Sequence, residues 1–325
     1  MNPRYNNQTR LLDFEPEQEQ FLNEVLASLR KTPRELPTKY LYDKRGSDLY
    51  ERICSLDEYY IPRTELAIMN NNIDEIVWLL GTGVMLIEYG CGSCTKTRTL
   101  LDHMPGLASY VPIDISREQL ESVASELGKS YAGLEILPVC ADYTAGFTLP
   151  VPERPNNRRV VYFPGSSIGN FEPESARRLL ESIAGICGRD GALLIGIDLK
   201  KDIEVLHRAY NDRQGVTAAF NLNLLIRINR ELNSDFQVEH FRHQAFYNTD
   251  KGRIEMHLVS LKDQNVRLDG VNIPFKQDES IWTESSYKYD TNDFKLLAEA
   301  AGFSVEKVWT DERRWFSVQY LVARQ

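Results

Sequence analysis

Between residues 84 and 200 the hydrophobic positions change period repeatedly. Contiguous apolar runs such as Val84-Met85-Leu86-Ile87 alternate with segments whose apolar residues recur every three or four positions. The runs have the pattern of strands buried on both faces, and the intervening segments that of amphipathic helices. The alternation predicts strands at 84–89, 109–114, 134–140, 159–164 and 192–198, separated by helices at 95–103, 117–130 and 173–187. Apolar strands alternating with helices imply βαβ units and a parallel sheet covered on both faces. Right-handed crossovers leave few topologies.

The flanking regions follow other patterns. Residues 16–31 carry Phe21, Leu22, Val25, Leu26 and Leu29 at helical spacing, which Pro33 and Pro37 end. Ser47-Asp48 reads as the N-cap of a second helix. Glu58–Pro62 interrupts it, and one longer helix is predicted from Thr64 to Leu80. Past residue 200, Asp202–Asn211 and Val216–Leu232 look helical. Phe236–Tyr247 and Arg253–Lys262 alternate in polarity around the turn residues 248–252, an antiparallel hairpin signal. A helix at Thr291–Ala301 and strands near 304–309 and 316–323 restore the α/β character. Residues 201–289 therefore read as an insertion late in the α/β domain, packed with the N-terminal helices.

Composition narrows the function classes. A chain of 325 residues can bury one large core or two modest ones. With 42% hydrophobic and 26% charged residues it has the balance of a soluble globular protein. The net charge of -9 argues against a nucleic-acid partner, and Arg158-Arg159 reads as a solvated loop. No apolar stretch approaches the roughly 20 residues that span a bilayer. Residues 1–10 are polar and lack the apolar core of a signal peptide, so a cytoplasmic protein is expected. Five cysteines, an odd and scattered set, form no disulfide framework. Cys91 and Cys94 make a C-x-x-C without the second pair that a zinc site needs, and a redox pair competes with the use of the adjoining glycines. The five histidines have no convincing ligand spacing. His240 and His243, three apart on a predicted strand, point to opposite faces, so no metal is expected.

The chemistry concentrates at predicted strand ends. The first strand ends in Glu88-Tyr89-Gly90-Cys91-Gly92, just before a helix, where open α/β sheets bind nucleotides. Thr95 stands where a third glycine would complete the dinucleotide fingerprint. An acid followed by Gly-x-Gly without that glycine looks more like the first motif of S-adenosylmethionine (SAM) methyltransferases than a NAD site. Asp114 ends the next strand about 22 residues past Gly92, the separation of an acid that accepts from both ribose hydroxyls. Asp142 ends the third and could accept from the adenine amino group. Either aspartate alone reads more readily as a strand-end turn residue; the two together with the glycine loop favour the cofactor. The fourth strand ends in the polar, glycine-rich segment Phe163–Phe171, where Asn170 offers both a donor and an acceptor to a zwitterionic substrate. A plain turn would read the same way.

Further segments carry a resemblance: Lys39–Asp43, Gly46–Tyr50, Glu58–Glu65, Gly90–Arg98, Gly165–Asn170, Ala209–Asn221, Arg253–His257 and Thr283–Ser286. From about residue 31 to the end the chain resembles the L-histidine Nα-methyltransferases of ergothioneine biosynthesis. The resemblance implies an α/β fold: a Rossmann-like SAM methyltransferase domain, with a mainly parallel seven-stranded sheet, at 65–200 plus 290–325. A second, α+β substrate-binding domain would lie at 12–64 plus 201–289. Gly90, Gly92, Lys96, Asp114 and Asp142 would bind SAM. Tyr59, Asn170 and Tyr210 would hold the ammonium and carboxylate of L-histidine and form the catalytic set. Glu284 and Ser286 would hydrogen-bond the imidazole, with Met256 near the ring. A carboxylate facing an imidazole N–H also makes independent sense, because a ring unable to pair leaves it unsatisfied. Two positions depart from the family: Cys91 stands where serine is expected, and Tyr50 where phenylalanine is common.

The implied reaction is three successive methyl transfers to the α-amino group, giving hercynine. No residue pattern marks a dedicated base, so the proton is expected to leave through water or a tyrosine hydroxyl while Asn170 orients the nitrogen. Three rivals share features of the chain. One is an N-methyltransferase of the same fold acting on another amino acid, such as tryptophan or a derivative. Glu284 with Met256 favours imidazole over indole. The others are a non-catalytic SAM-binding protein and a nicotinamide dehydrogenase.

Overall fold

The computed structural model describes residues 4–6, 11–14, 18–92 and 95–324. The chain divides into two compact units. The first draws its described residues from 1–15, 61–200 and 287–325, and the second from 16–60 and 201–286.

The first unit is built on seven strands: β1 (Val84–Tyr89), β2 (Ser109–Asp114), β3 (Val139–Cys140), β4 (Arg158–Phe163), β5 (Ala192–Asp198), β6 (Phe303–Thr310) and β7 (Phe316–Ala323). Their order across the sheet is β3-β2-β1-β4-β5-β7-β6. The first five run parallel, and β7 lies antiparallel between β5 and β6. Every residue of β1 and β5 is buried, which is why these segments read as unbroken apolar runs. Helices Thr95–His103, Arg117–Ser130 and Pro173–Cys187 form the crossovers at the bounds their periodicity predicts. Leu180 and Ile183 of the last pack in one cluster with Val161, Phe163, Leu193 and Ile195 of the sheet.

The sheet extends beyond these seven to ten strands. Leu11–Asp13 pairs in parallel with β3, Arg4–Asn6 pairs antiparallel with Leu11–Asp13, and Glu135–Ile136 pairs with β2. The single strand predicted at 134–140 is thus broken. Pro138 has no N–H to give the ladder, while its carbonyl accepts from Leu12 N at 3.1 Å. The helix predicted over Thr64–Leu80 is two helices, Ile61–Asn71 and Ile73–Leu80. The break is at Asn72, whose side-chain amide donates to Ile68 O at 2.7 Å. The first of these helices begins at Ile61. The interruption expected at 58–62 lies at 55–60, and Pro62 falls in the next helix's first turn, where a residue has no N–H partner to lose.

In the second unit a sheet of order 241–248, 253–260, 280–287, 34–35 carries helices Gln18–Leu29, Lys44–Cys54, Ile203–Tyr210 and Val216–Glu231. The predicted hairpin is present, as Phe241–Asn248 paired with Arg253–Ser260. A second hairpin, Gln264–Leu268 with Val271–Phe275, turns through Asp269-Gly270, both at positive φ. The N-cap of Lys44–Cys54 is Asp43, not Ser47-Asp48. Its carboxylate accepts from Gly46 N (2.8 Å), Asn223 Nδ2 (2.7 Å) and Arg230 (2.7 Å). Burial pushes the Asp43 carboxyl up, but bonds to Arg230, Gly46 and Asn223 outweigh it and hold it below its ordinary range.

A fully buried ion pair closes the first unit. Lys288 Nζ lies 2.8 Å from Asp198 at the end of β5, with both side chains wholly excluded from solvent. Removing the lysine takes the paired cation from a buried carboxylate, so Lys288→Met should lower the unfolding free energy by about 3–5 kcal/mol. Chemical denaturation checks this. A loss below about 1 kcal/mol, the level of an exposed pair, would show that Asp198 finds other compensation.

Candidate active site

Parallel pairing carries the C-terminal ends of β1 to β4 to one edge of the first unit's sheet, with the order reversing between β1 and β4. Ligands bind open α/β sheets beside such a reversal. Gly90 and Gly92 have φ of 72° and 48°, and a Cβ added to either would meet nothing within 4 Å. Glycine is needed here for its backbone conformation, and the space beside it is open. Gly90 N donates to Ile113 O (2.8 Å) and Gly92 N to Asp114 Oδ2 (3.3 Å), so the turn is tied to the end of β2. The other Asp114 oxygen accepts from Ser116 N at 3.0 Å. Burial pushes the Asp114 carboxyl up against these bonds. Asp114 thus acts as a strand-end turn residue while lying at the glycine loop.

Asp142 accepts from Thr144 N (2.9 Å) and Thr144 Oγ1 (2.5 Å), shaping its own turn. The neighbouring Tyr143 ring stacks on Tyr89, centroids 5.0 Å apart. Lys96, in the first turn of helix Thr95–His103, donates to Glu65 at 2.5 Å. Cys94 lies outside the described residues, and with it the Cys91–Cys94 pairing. Cys91 is buried, its thiol 3.9 Å from Asp114 Oδ2. In the β4 loop Gly165 and Ser166 both have positive φ, 75° and 60°. A serine in that region is strained unless its surroundings fix it. Here Ser166 Oγ accepts from Asp198 N at 2.9 Å. The loop ends in the short helix Ser167–Asn170, which presents a half-buried Asn170.

Two acids in this unit have buried roles that the sequence did not show. Glu65 is fully buried and accepts from both Lys96 and Gly165 N. Glu88 is the penultimate residue of β1, where its charge was visible but its burial was not. It accepts from Thr97 Oγ1 (2.6 Å) and from the Tyr110 hydroxyl.

The second unit gathers the other predicted residues. Rings of Tyr42, Tyr50, Tyr59 and Tyr210 follow one another edge to face, with centroids 5.6, 6.4 and 6.0 Å apart. Tyr50 and Tyr59 share a hydroxyl–hydroxyl hydrogen bond. The Tyr210 hydroxyl donates to Ser286 Oγ at 2.8 Å. Glu284 and Ser286, two apart on the strand Ser280–Tyr287, share a face, and both are buried. The Glu284 charge acts on the Tyr50 hydroxyl. Met256 is buried on the adjacent strand, where its carbonyl accepts from Thr283 Oγ1 at 3.0 Å. Burial pushes the Tyr59 and Tyr50 hydroxyls well above the ordinary range, and their like-charged neighbours reinforce it. The unit's histidines have internal roles: His243 bonds Tyr210 O (3.0 Å) and Asn221 (3.0 Å), and His207 accepts from Tyr247 N (3.1 Å). His240 ends a short helix rather than sharing a strand with His243.

Comparison with known proteins adds an independent finding. Residues 21–323 match the family described as histidine-specific methyltransferase, SAM-dependent. A histidine N-alpha-methyltransferase of Mycobacterium tuberculosis is 38% identical over 294 residues, 89% of this chain and 90% of the relative. Ergothioneine biosynthesis protein 1 of Neurospora crassa is 30% identical over 285 residues, 86% of this chain and 32% of that longer protein. An L-tryptophan methyltransferase of Psilocybe serbica is 27% identical over 332 residues, 92% of each chain.

The buried Glu88 sets a pH test. Burial outweighs the bonds from Thr97 and Tyr110 and raises its pKa from 4.5 to about 7. The fold therefore favours the protonated acid. That contribution is fully present below the unfolded value and disappears as pH rises through about 7. The shift corresponds to about 3 kcal/mol. Denaturation measured from pH 4 to pH 8 should show stability falling more steeply in the wild type than in Glu88→Gln. Equal slopes would mean that folding does not shift the Glu88 carboxyl.

Proposed function

The chain belongs to the SAM-dependent, histidine-specific methyltransferase family, and from that premise we propose that it methylates the α-amino nitrogen of L-histidine. Three successive transfers would yield hercynine, an intermediate of ergothioneine biosynthesis. The observation that carries the choice of substrate is the buried pair Glu284 and Ser286, on one strand face, with Ser286 bonded to Tyr210. An acceptor carboxylate beside a hydroxyl pair suits an imidazole, which has one N–H to give and one nitrogen to accept. An indole has no acceptor nitrogen and would leave a buried group unmatched.

We assign SAM to the first unit and the amino acid's ring to the second. The open space at Gly90 and Gly92 and the carboxylate of Asp114 beside it fit a nucleoside with ribose hydroxyls. Gly90, Gly92, Lys96, Asp114 and Asp142 would hold it. SAM supplies a methyl group already activated by a sulfonium, so the protein need not furnish a nucleophile. What the chain must do is hold a neutral amine lone pair in line and exclude water. Tyr59, Asn170 and Tyr210 would orient the amine and carboxylate. Tyr59 is held in its neutral form by burial, so it serves as a hydrogen-bonding partner rather than a base. The amine's proton then passes to water. The net charge of -9 does not favour a nucleic-acid partner, and we propose a cytoplasmic protein acting on a small molecule. No helix among the described residues is long and apolar enough to cross a membrane.

Mass spectrometry of L-histidine incubated with SAM and the protein should show mono-, di- and trimethylated product. Tryptophan turning over faster in the same panel would replace this reading with the indole alternative. Glu284→Ala should reduce kcat/KM for histidine by about 100-fold or more with little change in S-adenosylhomocysteine affinity, measured by calorimetry. An unchanged kcat/KM would remove Glu284 from the ring site.

A further inference from the structure

Glu65 has no place in the mechanism above, yet it is among the most enclosed charges of the first unit. It sits on helix Ile61–Asn71 with no solvent exposure. One oxygen accepts from Lys96 Nζ at 2.5 Å, and the carboxylate accepts from Gly165 N at 2.9 Å. The sheet makes room for it: a Cβ at Gly196 of β5 would lie 2.2 Å from Glu65 Oε1. A buried ion pair is a weak source of stability, because desolvation offsets most of the attraction. This one joins two elements of the candidate site, the helix after the Gly90–Gly92 turn and the β4 loop. Lys96 remains 22% exposed, while its partner is wholly enclosed. An ammonium has three donors. The bond to Glu65 uses one and leaves two directed elsewhere.

We propose that Glu65 is a positioning residue for the methyl donor. It fixes the Lys96 ammonium so that its remaining donors meet the carboxylate at the methionine end of SAM, and it fixes the Gly165 amide, hence the start of the loop that ends in Asn170. The inference deepens the assignment of SAM to the first unit and rests on it. Lys96 without Glu65 would be a flexible point charge on a four-carbon stem. With Glu65 it is aimed before the ligand arrives, so less ordering is needed on binding. The amide of Gly165 uses the same acceptor, so the donor's carboxylate and the Asn170 loop are referred to one fixed point.

The test is calorimetric binding of S-adenosylhomocysteine and of 5′-methylthioadenosine, which lacks the amino-acid end. Glu65→Gln keeps the volume and removes the charge. It should weaken S-adenosylhomocysteine by about 10- to 100-fold, the range of a hydrogen bond to a charged group, and leave methylthioadenosine within about twofold. In a Lys96→Met background the same change should cost no further S-adenosylhomocysteine affinity. A merely structural role would weaken both ligands together, and that result, or no loss for either, overturns the proposal. Should Glu65→Gln not fold, as judged by its thermal transition, Glu65→Asp takes its place with the same selective loss required. Failure of the wild type to bind S-adenosylhomocysteine would instead sink the functional reading.

Discussion

A parallel sheet delivers every strand's C-terminal end to one edge, but its ladder stops there. Beyond the last ladder bond each loop must find partners for its own backbone groups. In the first unit those partners come from neighbouring loops and buried side chains. Gly90 N uses Ile113 O, Gly92 N uses Asp114, Gly165 N uses Glu65, and Asp198 N uses Ser166 Oγ. Four loops from β1, β2, β4 and β5 are thereby fixed against one another. This places the open side of the glycine turn and the half-buried Asn170 on rigid supports before any ligand is present, as a transfer that depends on alignment requires.

The same ties explain the buried charges. Glu65, Asp198 and Lys288 have no solvent exposure, and none faces the core without a partner. Glu65 links a helix to the β4 loop, and Lys288 pairs with the end of β5. Ser166 at φ 60° is held instead by a backbone tie, its hydroxyl accepting from the N–H at the end of β5. Hydrophobic packing sets the spacing of sheet and helices but has no directionality. The loop geometry therefore depends on hydrogen bonds that fail if one partner is changed, so small substitutions here should matter more than in the apolar core.

Elements with a strong local period were legible in the sequence. β1, β2 and β5, and the helices Thr95–His103, Arg117–Ser130 and Pro173–Cys187, fall where periodicity places them. The misses occur where a distant residue decides. Asp43 caps its helix with help from Asn223 and Arg230, about 180 residues away. Leu11–Asp13 is a strand because it lies between β3 and Arg4–Asn6 in the sheet. The Asp269-Gly270 turn was visible but overlooked, its strands being only five residues long. The site divides the same way. The glycine turn and Asp114, bonded to each other, lie close enough in sequence for spacing to nominate them. Tyr59, Tyr210, Met256, Glu284 and Ser286 are brought together only by folding, so resemblance alone could nominate them. Glu65 was in plain view, but its partner Gly165 is 100 residues on.

On the proposed reading, repeated methylation constrains where specificity can reside. The incoming ammonium has several N–H donors, and each transfer removes one, so hydrogen bonds to the nitrogen weaken as the reaction advances. Groups that touch only the nitrogen cannot hold all three acceptors equally well. Groups that touch the ring can, because the imidazole does not change. Glu284 and Ser286, with Tyr210 bonded to Ser286, are placed on strand and helix positions whose neighbours are buried. Such an anchor lets the nitrogen rotate between transfers while the ring stays in register. The tyrosine rings at about 6 Å from one another add an electron-rich surface, and the attraction of a cation to an aromatic face does not depend on N–H donors. As methylation strips the nitrogen of its hydrogens, this attraction would persist, so ring anchoring and aromatic surroundings together serve a nitrogen that ends as a quaternary cation.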